Sequence, residues 1–217
     1  MIIGAIIQAR LTSTRFPRKI LEKINGIPVL EHVVNRVHLS KTINKVILAC
    51  PHSPEACLNE EIFIGSEFDV LDRYYQCAKK HDLTVIVRIT SDCPLVPPSE
   101  IDRVVNRLLE RDTHYVYNFP NVPDGWDVEA FTFHGLEKAW NESKSLEDRQ
   151  HVTAYMKRDE SLNPIHLEAP KLSLDTAQDL ERIKEYESLD REVYTGDRRD
   201  GFICNPLHPI HPQTFHS

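Results

Sequence analysis

IIGAIIQARLTSTRFPRK, residues 2–19, sets two unlike kinds of chain end to end. Its first seven residues are apolar up to Gln8, largely β-branched, and of a length that suits a buried strand. The next eleven carry four positive charges, three hydroxyls and no acid. In open α/β sheets ligands collect at the carboxyl ends of the strands, and the loop after the first strand is the usual place for phosphate contacts. Arg10, Arg15 and Lys19, with the hydroxyls of Thr12, Ser13 and Thr14, supply the charge and the donors that a polyphosphate needs. The loop has no glycine, which counts against a P-loop and against the dinucleotide fingerprint. On composition alone, a solvated basic loop is an equal reading.

Working outward, KVILA (45–49) and TVIVRI (84–89) read as further buried strands. PVLEHVVNRVHL (28–39), DVLDRYYQCAKKH (69–81) and SEIDRVVNRLLERD (99–112) carry apolar residues at helical spacing. Strands alternating with helices predict βαβ units and an α/β layered fold. The pattern changes at HYVYNF (114–119) and VEAFTF (128–133), two strands around a Pro/Gly loop, followed by helices near 135–143, 147–158 and 176–188. The length of 217 residues suits one domain, expected over 1–200, and DRRDGFICNPLHPIHPQTFHS reads as an extended tail, with 201–217 outside the domain.

A net charge of −7 offers no global basic field, so no nucleic-acid partner is expected, and any bound anion must be held by a local cluster. Five cysteines without a C-x-x-C pair suit a reducing compartment, which makes the cytoplasm the expected location. No apolar run reaches the length of a membrane span, so no membrane partner is expected.

The opening block and GIPVLEHVVNRV resemble the cytidylyltransferases that make CMP-sugars, through the pattern A-R-x-x-S-x-R-x-P-x-K-x-L. GSEFDVLDRY (65–74), VIVRITSDCPLVPPSEIDRVV (85–105), DGWDVEAF (124–131), RQHVTAYM (149–156) and LSLDTAQDLERI (172–183) follow in the order of the subfamily of spore coat polysaccharide biosynthesis protein F. The resemblance implies a three-layer α/β/α nucleotidyltransferase fold, Rossmann-like, with a mixed, mainly parallel sheet. It also implies transfer of CMP from CTP to a sugar, sugar acid or related small acceptor, with release of pyrophosphate. By the same resemblance Ala9, Arg10, Ser13, Arg15 and Lys19 hold the triphosphate, and Arg10, Lys19 and Asp92 are catalytic. Asp92 and Asp175 would hold a divalent metal, Mg²⁺ by the hardness of their oxygens. Asp92 also reads as a turn residue and Asp175 as a helix N-cap, and for Asp175 alone the two readings weigh equally.

Asp127 and Glu129, two apart at the start of an expected strand, face the same way beside Trp126, which makes them candidates for a sugar platform; an exposed strand face is the alternative. Arg88 is the odd charge of VIVRITSD and needs a partner, expected to be Asp92 or a bound phosphate, which places it with the nucleotide-binding set. Arg73 is a secondary acceptor contact by analogy, with a surface pair to Asp69 at i−4 as the simpler account. His151 and Tyr155 are expected at i and i+4 on one helical face; His151 is a substrate contact by the resemblance and reads otherwise as a packed histidine. Gln150 stands where the family block R-E-H-V-T has its acid, with Asp148 as a substitute, and Arg18 stands where the family often has Gly. The chain is also short between Ala49 and Ile62, where relatives fit a helix. Two other functions fit less well. A nucleotide-sugar-dependent glycosyltransferase expects a D-x-D motif where this chain has Thr90-Ser91-Asp92, and a silent nucleotide-binding subunit would not need Arg10, Lys19, Asp92 and Asp175 together. A homodimer is expected, with VEAFTF and the proline-rich tail as surfaces that cover the partner.

Overall fold

The structure is a computed structural model, and it describes residues 1–9, 18–52 and 60–168. In chain order the elements are β1 (Ile3–Gln8), the short strands β2 (Lys23–Ile24) and β3 (Ile27–Pro28), α1 (Val29–His38), β4 (Lys45–Cys50), β5 (Glu61–Ile64), α2 (Val70–Lys80) and β6 (Val85–Thr90). They continue with α3 (Pro98–Glu110), β7 (Tyr115–Tyr117), β8 (Glu129–Thr132), α4 (Phe133–Glu142), α5 (Leu146–Gln150), α6 (Ala154–Arg158) and β9 (Ile165–His166). The expected helix at 176–188 and the tail lie outside the described residues.

Among the described residues seven strands form one sheet in the order β5-β4-β1-β6-β8-β7-β9. The first four are parallel, β8 runs antiparallel to β6 and β7, and β9 is parallel to β7. This is the mixed, mainly parallel sheet that the family resemblance implies. Its centre is apolar on both faces because both are covered. Ile3, Ala5 and Ile7 pack under α1 and α3, whereas Ile6 and Ile47 pack under α2 and the α4–α6 side. At about 1.5–3 kcal/mol for each fully buried aliphatic side chain, the two layers supply the main drive for the fold. Gly4 makes room for Leu83, since a Cβ there would meet Leu83 Cδ1 at 2.5 Å and force that buried side chain to move. Asn25 and Gly26 turn β2 into β3 with φ of 53° and 86°, the left-handed pair that a tight hairpin needs.

Two expectations change. The single helix at 147–158 is broken into α5 and α6, because Val152 turns into the core at φ 27° and Thr153 spends its hydroxyl on Glu129 rather than on a helix cap. VEAFTF also cannot cover a partner. Its strand, β8, is hydrogen-bonded between β6 and β7, with Ala130 and Phe131 fully buried.

The carboxyl ends of β1, β4, β6 and β7 and the amino end of β8 share one edge of the sheet. Just inside that edge, register carries one row across four strands: Arg88 opposite Glu129, Glu129 opposite Tyr117, and Tyr117 opposite His166.

Candidate active site

At the edge, β1 and β6 are neighbours, and the loop after each leaves the sheet there. Ser91 N–H donates to Gln8 O at 3.3 Å, which ties the two loops together at their roots. Lys19 opens a 3-10 turn whose Ile20 is buried, and Arg18 enters that turn in the left-handed region at φ 59°. That conformation is the physical reason a glycine suits this position. Lys19 Nζ donates to Asp92 Oδ2, and both side chains remain more than one-third exposed. Burial opposes ionisation of Asp92, but the bond from Lys19 and its charge hold the carboxyl below its ordinary value. The chain therefore brings a cation and a carboxylate, 73 residues apart, to one point at the sheet edge. Arg10, Ser13, Arg15 and Asp175 lie outside the described residues, whereas Ala9 is buried at the end of β1.

Arg88 does not turn to Asp92. Its Nη1 donates to Glu129 Oε2 at 2.5 Å, because Glu129 faces it across the β6–β8 ladder while Asp92 lies beyond the strand end. Glu129 is 4% exposed and fully committed. Its Oε1 accepts from Tyr115 Oη at 2.5 Å and Thr153 Oγ1 at 2.8 Å, and Lys157 Nζ lies 3.2 Å away. Burial pushes this carboxyl up, but Arg88, then Lys157, Tyr115 and Thr153, hold it down at about 2. Glu129 is thus the hub that fastens β6, β7, β8 and α6 together.

Asp127 differs, because β8 begins only at Glu129 and leaves it in the preceding loop. Its Oδ1 is buried without a hydrogen-bond partner among the described residues, and burial, then Asp124 and Glu129, push its carboxyl up. Trp126 is half-buried in the same loop. Fully buried Asn118 clamps that loop: its Nδ2 donates to Trp126 O at 3.0 Å and Glu100 Oε2 at 3.1 Å, and its Oδ1 accepts from Val128 N–H at 2.9 Å.

The remaining candidates fall around α2 and α5. Arg73 is buried, and its Nη1 donates to Ser66 O at 2.5 Å. The expected pair with Asp69 does not form, since Asp69 is the N-cap of α2 and sits off the helix end. Its Oδ1 accepts from Asp72 N–H and its Oδ2 takes Arg149 at 2.5 Å. His151 is the exposed C-cap of α5, and the break at Val152 separates it from Tyr155, which donates to Glu142 Oε2. Asp148 is committed to Arg158 at 2.5 Å.

Tyr115, Asn118, Thr153 and Lys157 belong to the site's framework and were not singled out by sequence reasoning. Only Asn118 carried a signal, as a polar residue closing the apolar run HYVYN. The others read as ordinary strand or helix residues until the register is known.

Asp92 suits a divalent cation: it is ionised, partly exposed, and a hard oxygen donor at the strand edge. No group of three His, Cys, Asp or Glu side chains is placed to hold an ion among the described residues, so Asp92 would hold one with oxygens from elsewhere.

A family model described as Cytidylyltransferase matches residues 4–195. The chain is 38% identical over 195 residues to an uncharacterized protein of Methanocaldococcus jannaschii, covering 82% of this chain and 79% of the relative. It is 32% identical over 202 residues to the spore coat polysaccharide biosynthesis protein SpsF of Bacillus subtilis, covering 82% and 83%. Among solved structures, a cytidylyltransferase from Leptospira borgpetersenii superposes with a TM-score of 0.71 at 27% identity, over 87% of each chain.

Proposed function

Since the chain belongs to the cytidylyltransferase family, we propose that it transfers CMP from CTP to a small sugar-like acceptor for surface polysaccharide or glycoconjugate assembly. The observation that supports this most directly is the Lys19–Asp92 pair at the carboxyl ends of β1 and β6. In the proposed reaction an acceptor oxygen attacks the α-phosphorus, the bond to the β-phosphate breaks, and pyrophosphate leaves. Negative charge grows on the phosphates as it does so. In this reading Lys19 neutralises that charge, and a preorganised cation in a site closed over the triphosphate contributes far more than it would in water. Arg10, Ser13 and Arg15 complete the phosphate cradle in this reading, with Ala9 at its root. Asp92, with Asp175, would hold Mg²⁺, which when bound supplies charge to the phosphate oxygens.

The loop at 124–127 forms the acceptor side. Asp127 supplies a carboxylate oxygen with no partner among the described residues, and Trp126 an aromatic ring. Glu129 and Arg88 act in this reading as the support beneath that loop, because each is the other's charge partner. Arg73 supports the loop before α2, and His151 remains exposed at the rim of α5. The buried thiols Cys50, Cys77 and Cys93 favour a reducing cytoplasm, and no helix among the described residues is long and apolar enough to cross a membrane. A homodimer belongs to the same proposal, supported by the exposed apolar side chains Phe68 and Leu146.

The test is pyrophosphate release with Mg²⁺, with each of the four nucleoside triphosphates against keto-sugar acids, amino sugars, sugar phosphates and phosphonates. Release with CTP and at least one acceptor is expected. CTP bound without release for any acceptor would favour a silent nucleotide-binding subunit.

A further inference from the structure

Asp92 sits two residues beyond the end of β6 with its side chain 41% exposed, and its ion pair is with a similarly exposed lysine. A pair of that kind is loose in water and does not fix the direction of a carboxylate. A more rigid neighbour stands behind it. Thr90 is the last residue of β6, held in register opposite Gln8 of β1, and Ser91 N–H bonds back to Gln8 O at 3.3 Å. Burial opposes ionisation of Asp92; Lys19, the Asp92 backbone N–H and a hydrogen bond from the Thr90 hydroxyl hold the carboxyl down against it.

The Thr90 hydroxyl has a second neighbour. Its Oγ1 lies 2.9 Å from Cys93 Sγ, and Cys93 N–H donates to Thr90 O at 3.3 Å, so side chain and backbone both close the turn at 90–93. A hydroxyl has one proton to give. The carboxylate is the stronger acceptor, because the bond to it is charge-assisted, and the proton goes to Asp92. Cys93 is then the donor to Thr90, and a thiol carries its proton at neutral pH. The donors run one way, from the Cys93 thiol to the Thr90 hydroxyl to the Asp92 carboxylate, whose Oδ2 meets Lys19 Nζ. Cys93 is itself fixed. It is 8% exposed in the apolar layer under α1 and α3, and its carbonyl accepts from Val96 N–H at 3.2 Å.

From this chain of donors we infer that Thr90 is a positioning residue: with its hydroxyl turned by the Cys93 thiol, it holds the Asp92 carboxylate in place for a divalent cation. The inference rests on the transferase reading above, in which Asp92 binds metal, and adds to it the two side chains that fix that acid. Neither of them touches substrate or metal. Their effect is to join an exposed carboxylate to the end of a central strand and to the core beneath it. An outer hydrogen bond of this kind typically contributes roughly ten- to a hundred-fold in metal affinity. The demand on position 90 is specific, since its side chain accepts from sulfur and donates to oxygen at once, which a serine does and a valine does not.

The experiment is a calorimetric titration of CTP into the full chain with and without Mg²⁺, which reads the gain in affinity that the ion provides, independent of turnover. Wild type should gain from Mg²⁺. Thr90→Val keeps the β-branched shape and removes the hydroxyl. It should lose roughly ten-fold in affinity for CTP with Mg²⁺, while affinity without the ion stays within about two-fold. Thr90→Ser, which keeps the hydroxyl, should bind as wild type does. Cys93→Ala should show the same loss in smaller measure, and Cys93→Ser, which keeps a donor, should recover most of it; this pair reads the path from its other end should Thr90→Val fail to fold. A merely structural role would weaken CTP binding alike with and without Mg²⁺, and a loss of equal size in both conditions overturns the inference. So does wild-type behaviour of Thr90→Val or of Cys93→Ala, which leaves the transferase reading standing. CTP binding by wild type that gains nothing from Mg²⁺ overturns the metal role of Asp92 and the inference with it. Failure of CTP to bind at all overturns the transferase reading as well.

Discussion

Glu129→Gln tests the reading of the buried hub. The exchange preserves shape and removes the one negative charge that faces Arg88 across the sheet. In the folded protein burial raises the Glu129 carboxyl, and Arg88, Lys157, Tyr115 and Thr153 more than offset that, from 4.5 down to about 2. A drop of this size corresponds to about 3 kcal/mol of stability at pH 7. Removing one partner from a buried ion pair costs about 3–5 kcal/mol, so the two routes agree at the lower end. With a urea slope of about 3 kcal/mol per molar, the midpoint should fall by roughly 1 M. The sign of the pH effect follows from the depressed value. The carboxylate's contribution is complete above about 4.5, the unfolded value, and fades as pH falls toward about 2. The gap between wild type and variant should therefore be widest at pH 6–7 and narrow by pH 3. Urea unfolding followed by circular dichroism at pH 7, 5 and 3 reads both quantities. A midpoint within about 0.2 M of wild type at pH 7, or a gap that stays constant with pH, would refute the hub. Adding Arg88→Met to the variant should recover more than about 1 kcal/mol, because the orphaned charge is then gone as well.

Lys19→Ala should lower kcat/KM for CTP by roughly two to three orders of magnitude, with melting nearly unchanged because its pair with Asp92 is exposed and contributes at most about 1 kcal/mol. Arg18→Ala should have a much smaller effect, and equal losses in steady-state assays would reduce the loop to a diffuse attractor. Asn118→Ala should cost about 2–3 kcal/mol in chemical denaturation, since Glu100, Val128 and the half-buried Trp126 each lose a hydrogen bond, and it should raise the acceptor KM more than the CTP KM. Light scattering at micromolar concentration should give twice the chain mass of 25.1 kDa; a single-chain mass removes the dimer from the proposal.

Much of the fold was legible because burial on both faces leaves a strong local trace. IIGAIIQ, KVILA and TVIVRI are continuous apolar runs of strand length, and the helices after them repeat at 3.6 residues. The basic loop after β1 and the acid after β6 were also visible, since in a parallel sheet both must emerge at the same edge. The break at Val152 was not visible. Its cause is a hydroxyl reaching Glu129 across 24 residues, which no helical window contains.

The same limit governs the charged residues. That Arg88 needed a counter-ion followed from its place in the chain alone, because a lone guanidinium inside an apolar strand is too costly to leave unpaired. It could not say which acid, since Asp92 is four residues away along the chain while Glu129 is 41 away and becomes the neighbour only through the β6–β8 register. Once register placed Glu129 under Arg88, Tyr115 and Thr153, that carboxylate became structural, and Asp127, two residues earlier but outside the strand, kept a buried Oδ1 with no partner among the described residues. Strand pairing is a long-range choice, and the roles of these two acids follow from it.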